Sequence, residues 1–369
     1  MLSKIRVLIV DDSLVACRIL SDAISSDPEM EVAGTALSGQ IALNKLTQCH
    51  PDLVMLDIDM PDMDGLQTLS AIKKLNPTLP VIMCSSLLER GNSYSMKSLL
   101  GGASDYVVKP KGVKTGNHMD IFISELRHKI KGLCNTLIRS NSESKSQFDQ
   151  TKGSSFKTSK EGIEILAIGV STGGPKALAD LLPAFPSDFP MPIVIVQHMP
   201  PNFTKTLAES LGKRTKLEVY EGIAGAKLSS GTIWIAPGGF HMTLVRKLNQ
   251  VELALNEDPP LNSCRPSVDA LFNSAVKIYG PRVLSVVLTG MGQDGFEGAK
   301  AVRNAGGLVY VQDESSSVVW GMPGTIAKAG LANRVVPLKE MAEAIQNGIL
   351  RRKVRSSKPG QTEGGLNGG

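Results

Sequence analysis

A glycine-rich turn carries the residue of this sequence best suited to nucleophilic chemistry. The run EILAIGVSTGGPKAL over residues 164–178 predicts a strand, a tight turn and a helix, and Gly169–Gly173 has the G-x-S-x-G spacing of a nucleophile elbow. The glycines let the turn lift Ser171 above the strand end, where backbone N–H groups can stabilise an oxyanion. A structural βα turn and a dinucleotide phosphate loop are alternatives. The dinucleotide loop fits poorly, because Ser171 replaces its middle glycine and the next strand ends in Gln197-His198 instead of an acid.

A serine nucleophile needs a base, and the base needs an acid that orients it. Of the five histidines, His198 and His241 lie in the same region as Ser171. We favour His198, because it follows the strand PIVIVQ at the sheet edge predicted for Ser171. Asp294 follows the strand VLSVVL in a glycine-lined loop, so we favour it as the orienting acid. The alternative acids in this region are Asp258, Asp269 and Asp313. The chain order Ser, His, Asp differs from the order in α/β-hydrolases.

A second group of polar residues lies at predicted strand ends near the N-terminus. Asp11 and Asp12 follow the first strand, Asp57 the third, Ser85 the fourth and Lys109 the fifth. Parallel strands place their carboxyl ends at one sheet edge, so the three carboxylates would crowd together, which is unstable without a cation. Mg²⁺ prefers carboxylate oxygens and is the natural occupant. The alternative, in which these acids only cap helices, does not account for the full set.

Five short apolar runs, separated by helical patterns, occupy the first 126 residues. This alternation predicts a flavodoxin-like, doubly wound parallel sheet with strand order 2-1-3-4-5, in which strands one and three are neighbours. The predicted strands are Ile5–Val10, Val32–Thr35, Leu53–Leu56, Val81–Cys84 and Tyr106–Val108.

Apolar runs after residue 160 predict a second α/β domain with a mainly parallel sheet. Mixed polar and apolar residues around a short Lys-Leu-Asn loop predict a β-hairpin that interrupts the alternation, from His241–Arg246 and Gln250–Leu255. The predicted sheet strands are Glu164–Gly169, Ile193–Gln197, Ile233–Ala236, Val283–Leu288 and Leu308–Val311.

The net charge of +5 is concentrated outside the predicted domains. Residues 127–160 carry eight Lys or Arg and two acids, and residues 345–369 carry five and one. We therefore predict a first domain over 1–126, a basic flexible linker over 127–160, a second domain over 161–350 and a disordered tail over 351–369. The predicted domains are mildly acidic, which argues against a nucleic-acid footprint on a folded face.

Cysteine usage and hydropathy indicate the compartment. The five cysteines are scattered without a CxxC pair, which predicts reduced thiols in the cytoplasm and neither a disulfide framework nor a zinc site. No apolar run reaches the length of about 18 residues that a membrane-spanning helix needs, so we expect no membrane insertion.

The first region resembles the receiver domain of two-component response regulators over roughly residues 3–126. The resemblance implies that Asp57 is phosphorylated and that Asp11 and Asp12, with Asp57, hold Mg²⁺. It also implies three switch residues at this site. Ser85 contacts the phosphoryl group, Lys109 pairs with it, and Tyr106 is the aromatic switch.

The two regions together resemble the CheB family of chemotaxis protein-glutamate methylesterases over about residues 3–348, excluding the linker. The motifs are G-x-STGGP, VQHMP, LTGMGxDG and RPSVD, with Val170 where many members have alanine. The resemblance implies a triad of Ser171, His198 and Asp294, and an oxyanion donor at the backbone N–H of Met291. Thr172 and Arg265 match positions beside the family's active site.

The same resemblance implies a phosphorylation-activated hydrolase of glutamate γ-methyl esters on chemoreceptors, which releases methanol and also deamidates receptor glutamines. A chemotaxis histidine kinase would be the phosphodonor, and catalysis would need no cofactor. Two other classes stay open. The protein could be a response regulator whose second domain only docks, or a regulator that binds DNA, although no helix-turn-helix pattern follows the linker.

Overall fold

The computed structural model describes residues 4–85, 89–109, 117–140, 159 and 161–356. In the first domain, five parallel strands form a sheet in the order β2-β1-β3-β4-β5, which confirms the predicted flavodoxin-like order. The strands are β1 (Ile5–Val10), β2 (Met30–Ala36), β3 (Leu53–Asp57), β4 (Val81–Ser85) and β5 (Asp105–Val108). The predicted strand starts and ends are right to within two residues, because buried aliphatic runs mark central parallel strands clearly.

Helices follow each strand of the first domain. Ser13, Ser38 and Asp64 cap the first three by accepting backbone N–H groups, the role for which short oxygen-bearing side chains are suited. The helices are α1 (Leu14–Ser25), α2 (Gly39–Cys49), α3 (Gly65–Leu75), α4 (Glu89–Leu100) and α5 (Asn117–Ser140).

Helix α5 extends past the predicted domain boundary at residue 126. It continues to Ser140, and Ile130, Leu133 and Cys134 are buried in the same apolar cluster as β1. The first part of the predicted linker is therefore helical, because a basic exposed face hid an apolar stripe at helical spacing. The rest of the linker, apart from residue 159, lies outside the described residues. The first residues of the predicted tail, 351–356, are likewise helical, since the C-terminal helix continues to Ser356, and the rest of it lies outside the described residues.

In the second domain, seven parallel strands form a sheet in the order β14-β13-β12-β6-β7-β9-β8. The predicted α/β domain with a mainly parallel sheet is confirmed. The strands are β6 (Ile165–Val170), β7 (Ile193–Gln197), β8 (Glu218–Glu221), β9 (Thr232–Ile235), β12 (Val283–Val287), β13 (Leu308–Gln312) and β14 (Arg334–Val336). The two strands that the sequence pattern missed, β8 and β14, are short edge strands with exposed residues, so they lack an apolar run.

The predicted hairpin is also present, as a separate two-stranded antiparallel sheet of β10 (His241–Lys247) and β11 (Gln250–Asn256). It packs against α8, whose neighbour is α9. The helices of this domain are α6 (Gly174–Leu181), α7 (Phe203–Gly212), α8 (Val268–Tyr279), α9 (Phe296–Asn304), α10 (Met322–Lys328) and α11 (Leu338–Ser356).

The two domains pack against each other through α4, which contacts α6 and α7. Tyr106 of β5 stacks on Phe203 of α7 with ring centroids 4.9 Å apart. This interface faces the carboxyl ends of the second sheet, so the first domain covers the edge at which Ser171 is expected to act. None of the helices in the described ranges combines the length and apolarity needed to cross a membrane.

Candidate functional site

Three neighbouring strand ends carry the predicted serine, histidine and aspartate. Strand β6 lies between β12 and β7, so Ser171 follows the middle strand while Asp294 and His198 follow its two neighbours. The His198 N–H donates to the carbonyl of Val170 over 3.2 Å, which continues the sheet past its edge. Ser171 and His198 line a cavity of about 700 Å³ between the domains. The fold therefore places the three predicted residues around one edge.

His198 and Asp294 form a direct pair. The His198 Nε2 atom lies 2.8 Å from Asp294 Oδ2. Burial disfavours the imidazolium, but hydrogen bonds to Asp294 and Cys264 outweigh it and raise the pKa of His198 to about 9. Burial likewise opposes the Asp294 carboxylate, yet its bond to His198 and its other donors lower its pKa to about 2.

Asp294 is held by the N-terminus of α8 as well as by His198. Its carboxylate accepts the Val268 N–H at 2.7 Å, the Ser267 hydroxyl at 2.8 Å and the Asp269 N–H at 3.2 Å. The free N–H groups of a helix start favour a negative charge there. The RPSVD segment, whose last two residues begin α8, thus contacts Asp294 although the two lie far apart in sequence. The orientation of the carboxylate is thereby set before any substrate binds.

The alternative histidine and acids have other partners. His241 is buried, and its Nδ1 accepts the Ser267 N–H while its Nε2 lies 3.2 Å from the Pro259 carbonyl. Asp269 accepts the Gly298 N–H, and burial raises its pKa to about 6. Asp313 accepts hydrogen bonds from the serines that follow it, and Asp258 is exposed. The arrangement thus supports His198 and Asp294 as the better prediction.

The turn around Ser171 is fixed by backbone contacts. The Ser171 N–H donates to the Thr289 carbonyl over 3.0 Å, and its carbonyl accepts the Gln197 amide at 3.0 Å. Gly290 approaches so closely that a Cβ there would lie 2.9 Å from the Ser171 Cβ. Among the described residues, no side chain or backbone group hydrogen-bonds the Ser171 hydroxyl. Sequence analysis missed Gln197, although it stands beside His198 in the VQHMP motif.

Cys264 was also missed, and it faces the histidine. Its Sγ atom lies 3.6 Å from His198 Nδ1. Because Asp294 occupies Nε2, Nδ1 is the ring nitrogen left for the Ser171 hydroxyl, so the thiol stands where the serine would have to bond. The residue directly precedes RPSVD, a position at which the motif itself gives no hint of chemistry.

The three further residues predicted beside the site line the same cavity. Thr172 is buried and donates its hydroxyl to Asp105 of the first domain over 2.7 Å. Arg265 donates from Nη1 to the Glu257 and Asp258 carbonyls, which turns its guanidinium toward its own loop. Met291 packs on α5 so closely that a Cβ at Gly132 would clash with its side chain. Thr172 and Met291 are therefore contact points between the domains as well as neighbours of Ser171.

Asp105 makes a polar contact between the domains, beside the Gly173 N–H, which donates to the Ser104 carbonyl over 3.1 Å. It is buried, accepts the Thr172 hydroxyl and pairs with Lys129 of α5 over 3.2 Å. Burial lowers the pKa of Lys129, but Asp105 and Glu125 outweigh it, so the pKa is raised. Lys129 also donates to the Tyr106 carbonyl. A polar chain therefore runs from α5 through the first residue of β5 to the residue after Ser171.

The acidic residues of the first domain converge as predicted from the strand order. Asp11 and Asp57 are buried, Asp12 is exposed, and one oxygen from each lies within 4.8 Å of the others. Lys109 donates to both Asp11 and Asp57. Burial raises the pKa of Asp57 to about 6 against the opposing effect of Lys109. Ser85 ends β4, while its side chain lies outside the described part of the chain.

This donor set fits a hard divalent cation. Three carboxylates face one lysine, so the cluster keeps a net negative charge in a partly buried position. Oxygen ligands and an exposed side for water molecules are what Mg²⁺ requires.

Comparisons with known proteins place both regions. The CheB methylesterase family model matches residues 166–345, and the response regulator receiver domain model matches residues 7–117. The crystal structure of the Thermotoga maritima CheB methylesterase catalytic domain is 40% identical, covers 50% of this chain and 98% of that one, and has a TM-score of 0.49.

Full-length relatives match nearly the whole chain. The protein-glutamate methylesterase/protein-glutamine glutaminase of Trichodesmium erythraeum is 47% identical over 93% of this chain and 98% of its own length. The relative of the same name from a Nocardioides species is 42% identical over 95% and 96%. The chain therefore belongs to the family of CheB methylesterases that carry an N-terminal receiver domain.

Proposed function

We propose that this protein is a serine hydrolase that demethylates glutamate γ-methyl esters on methyl-accepting chemoreceptors and deamidates receptor glutamines. The observation that carries the proposal is the His198–Asp294 pair, 2.8 Å apart, on strand ends that flank the strand leading to Ser171. The names of the full-length relatives supply the ester and amide substrates. An acyl-transfer site can serve both, because each reaction passes through a tetrahedral oxyanion.

The orientation of His198 sets the mechanism. Asp294 accepts a hydrogen bond from the Nε2–H group of His198, so Nδ1 carries the lone pair. Once Cys264 has moved aside, this lone pair takes the proton from Ser171. The Ser171 oxygen attacks the γ-carbonyl, and the Met291 N–H stabilises the oxyanion. Collapse passes the proton to the leaving group and releases methanol from an ester or ammonia from an amide. Water then hydrolyses the glutamyl-Ser171 ester, with His198 again taking and returning the proton.

In our proposal, the receiver domain regulates the access of substrate to Ser171. The receiver forms one wall of the cavity, and the Thr172–Asp105 bond and the Tyr106–Phe203 stack join that wall to the catalytic domain. Tyr106 lies on β5, and Lys109, the partner of Asp57, follows that strand directly. We propose that phosphorylation of Asp57 by a histidine kinase, with Mg²⁺ held by Asp11, Asp12 and Asp57, shifts Lys109 and loosens this wall. Bound Mg²⁺ would supply charge neutralisation for phosphoryl transfer.

The setting follows from these substrates. The protein would act on the methylated receptor glutamates, and receive its phosphoryl group from the kinase, in the cytoplasm. It would be the adaptation enzyme of a chemosensory pathway.

The decisive experiment is methanol release from membranes that contain methylated receptors, with and without an acyl-phosphate donor. We expect release by the wild-type protein, stimulation by the donor, and loss of release in Ser171→Ala. Ser187→Ala is the matched control, because Ser187 is exposed and away from the cavity. If Ser171→Ala released methanol as fast as the wild type, Ser171 would not be the nucleophile and the proposed mechanism would be wrong. No release by the wild type would instead favour a second domain that only docks. Loss of stimulation in Asp57→Asn tests the receiver's part separately.

A further inference from the structure

Cys264 and His198 form a second constellation that the esterase mechanism does not use. The Cys264 Sγ and His198 Nδ1 atoms are 3.6 Å apart, and Asp294 Oδ2 is bonded to the opposite ring nitrogen, Nε2. One ligand atom from each residue lies within 4.8 Å of the others. Both Cys264 and His198 are half-buried and line the cavity between the domains, so a small solute in the cavity can reach them.

We propose that Cys264 and His198 bind a thiophilic divalent cation of the zinc class and that the cation inhibits the enzyme. The separation of the two atoms is the first argument. With Zn–S of about 2.3 Å and Zn–N of about 2.05 Å, ligands that are 3.6 Å apart subtend about 110° at the metal, the tetrahedral angle.

Asp294 supports the site without binding the metal. Its carboxylate holds the Nε2 proton, which leaves Nδ1 as the basic nitrogen aimed at Cys264. A carboxylate behind a ligating histidine orients the ring and strengthens it as a donor. Because Asp294 is itself fixed by the start of α8, the histidine ring is oriented before the cation arrives. Water or substrate oxygen from the cavity, which both ligands line, would fill the remaining two tetrahedral positions.

The donor atoms separate this site from the receiver cluster. Thiolate and imidazole favour zinc-like cations, whereas the carboxylates of Asp11, Asp12 and Asp57 favour Mg²⁺. Binding at the catalytic edge releases the thiol proton to solvent and forms bonds to Sγ and Nδ1. The inhibitory consequence rests on the proposed function, because Nδ1 is the atom that must take the Ser171 proton. The binding itself does not depend on it.

The test is a titration of the full-length protein with Co²⁺, a spectroscopic stand-in for Zn²⁺, in excess Mg²⁺ that occupies the receiver. We expect one Co²⁺ per chain with a thiolate-to-cobalt charge-transfer band, and displacement of that band by Zn²⁺. Cys264→Ser should abolish the band and weaken Zn²⁺ binding by at least about 100-fold, since loss of even an outer-shell partner costs 10–100-fold. Cys49→Ser is the control, because that half-buried thiol lies in the receiver, away from the cavity. His198→Gln provides a second test should Cys264→Ser unfold, as judged by circular dichroism.

The outcomes distinguish this proposal from the proposed function. A wild-type protein without a thiolate band, or a Cys264→Ser variant that binds Zn²⁺ as tightly as the wild type, would overturn the metal site whatever the enzyme's activity. If the protein releases methanol, Zn²⁺ should suppress release and a chelator should restore it, with Cys264→Ser losing this sensitivity. Failure of methanol release altogether would count against the esterase proposal and leave the titration to decide the metal site.

Discussion

Each domain of this protein gathers ionisable side chains at the carboxyl ends of parallel strands, but the two clusters neutralise buried charge differently. In the receiver, Asp11 and Asp57 are paired with Lys109, and an oxygen-rich surface stays available for Mg²⁺. In the catalytic domain, Asp294 is satisfied by His198 and by the N-terminus of α8. The first arrangement stores negative charge for a cation and a phosphoryl group. The second uses one buried carboxylate to orient a histidine base.

The largest expected effect follows from breaking the catalytic pair. Asp294→Asn keeps the shape of the side chain but can present an amide N–H to His198, which favours the wrong tautomer. We expect the rate of methyl ester hydrolysis to fall by about 10⁴-fold, as such a change does in a Ser-His-Asp triad. Methanol release measures it, with Asp258→Asn as the control, because Asp258 is exposed. A loss under tenfold would mean that Asp294 does not orient the base.

Removal of divalent cations should impair only the receiver cluster, because loss of a cation from Cys264 and His198 would relieve inhibition. A chelator should lower the rate at which an acyl phosphate labels Asp57 by roughly 100-fold, because a metal ion supplies several kcal/mol of charge stabilisation. Methanol release by the unphosphorylated enzyme should not fall. Labelling that persists in the chelator, or in Asp57→Asn, would contradict the assignment of the acidic cluster.

The contact between the clusters predicts a smaller effect. Asp105→Asn keeps a hydrogen-bond acceptor for Thr172 but removes the charge that pairs with Lys129. A charge-assisted bond contributes about 1.5–3 kcal/mol, so partial loss should raise unphosphorylated activity roughly 5- to 30-fold. Activity after phosphorylation should stay the same. Glu125→Gln, which removes the exposed partner of the same lysine, is the control and should change little. Equal activation by both variants would show that Asp105 is not the coupling residue.

The smallest expected effect is a difference between the pH–rate profiles of the wild type and the Cys264→Ala variant. With the His198 pKa at about 9, the base form is scarce at neutral pH, so unphosphorylated activity should rise about tenfold per pH unit up to about 9. Cys264→Ala removes one contact that raises this pKa, so its profile should reach half-maximum at lower pH. Rates measured in a chelator from pH 6 to 10 test this, and coincident profiles would contradict it.

The raised pKa of His198 also makes folding stability depend on pH, and stability should fall where activity rises. The folded state holds the His198 proton more tightly than the unfolded chain, so this stabilisation is complete below about pH 6.5 and is lost as pH rises through about 9.

The sequence determined the strands that lead to both clusters, because buried aliphatic runs followed by Gly, Asp or Ser have few other structural solutions. The residues Ser171, His198 and Asp294 could be proposed from their places after such runs. Three elements could not be predicted in this way: the short edge strands β8 and β14 and the helical start of the predicted linker. Their exposed sides are polar, so none of them shows a continuous apolar run.

Tertiary structure alone decided which atoms meet. Strand order put β6 between β7 and β12, and side-chain orientation gave Nε2 of His198 to Asp294 and Nδ1 to Cys264. The Asp105–Thr172 bond likewise joins residues 67 positions apart in sequence. Such contacts depend on how separate elements pack, and no local pattern of residues encodes the distance between two side chains that the fold brings together.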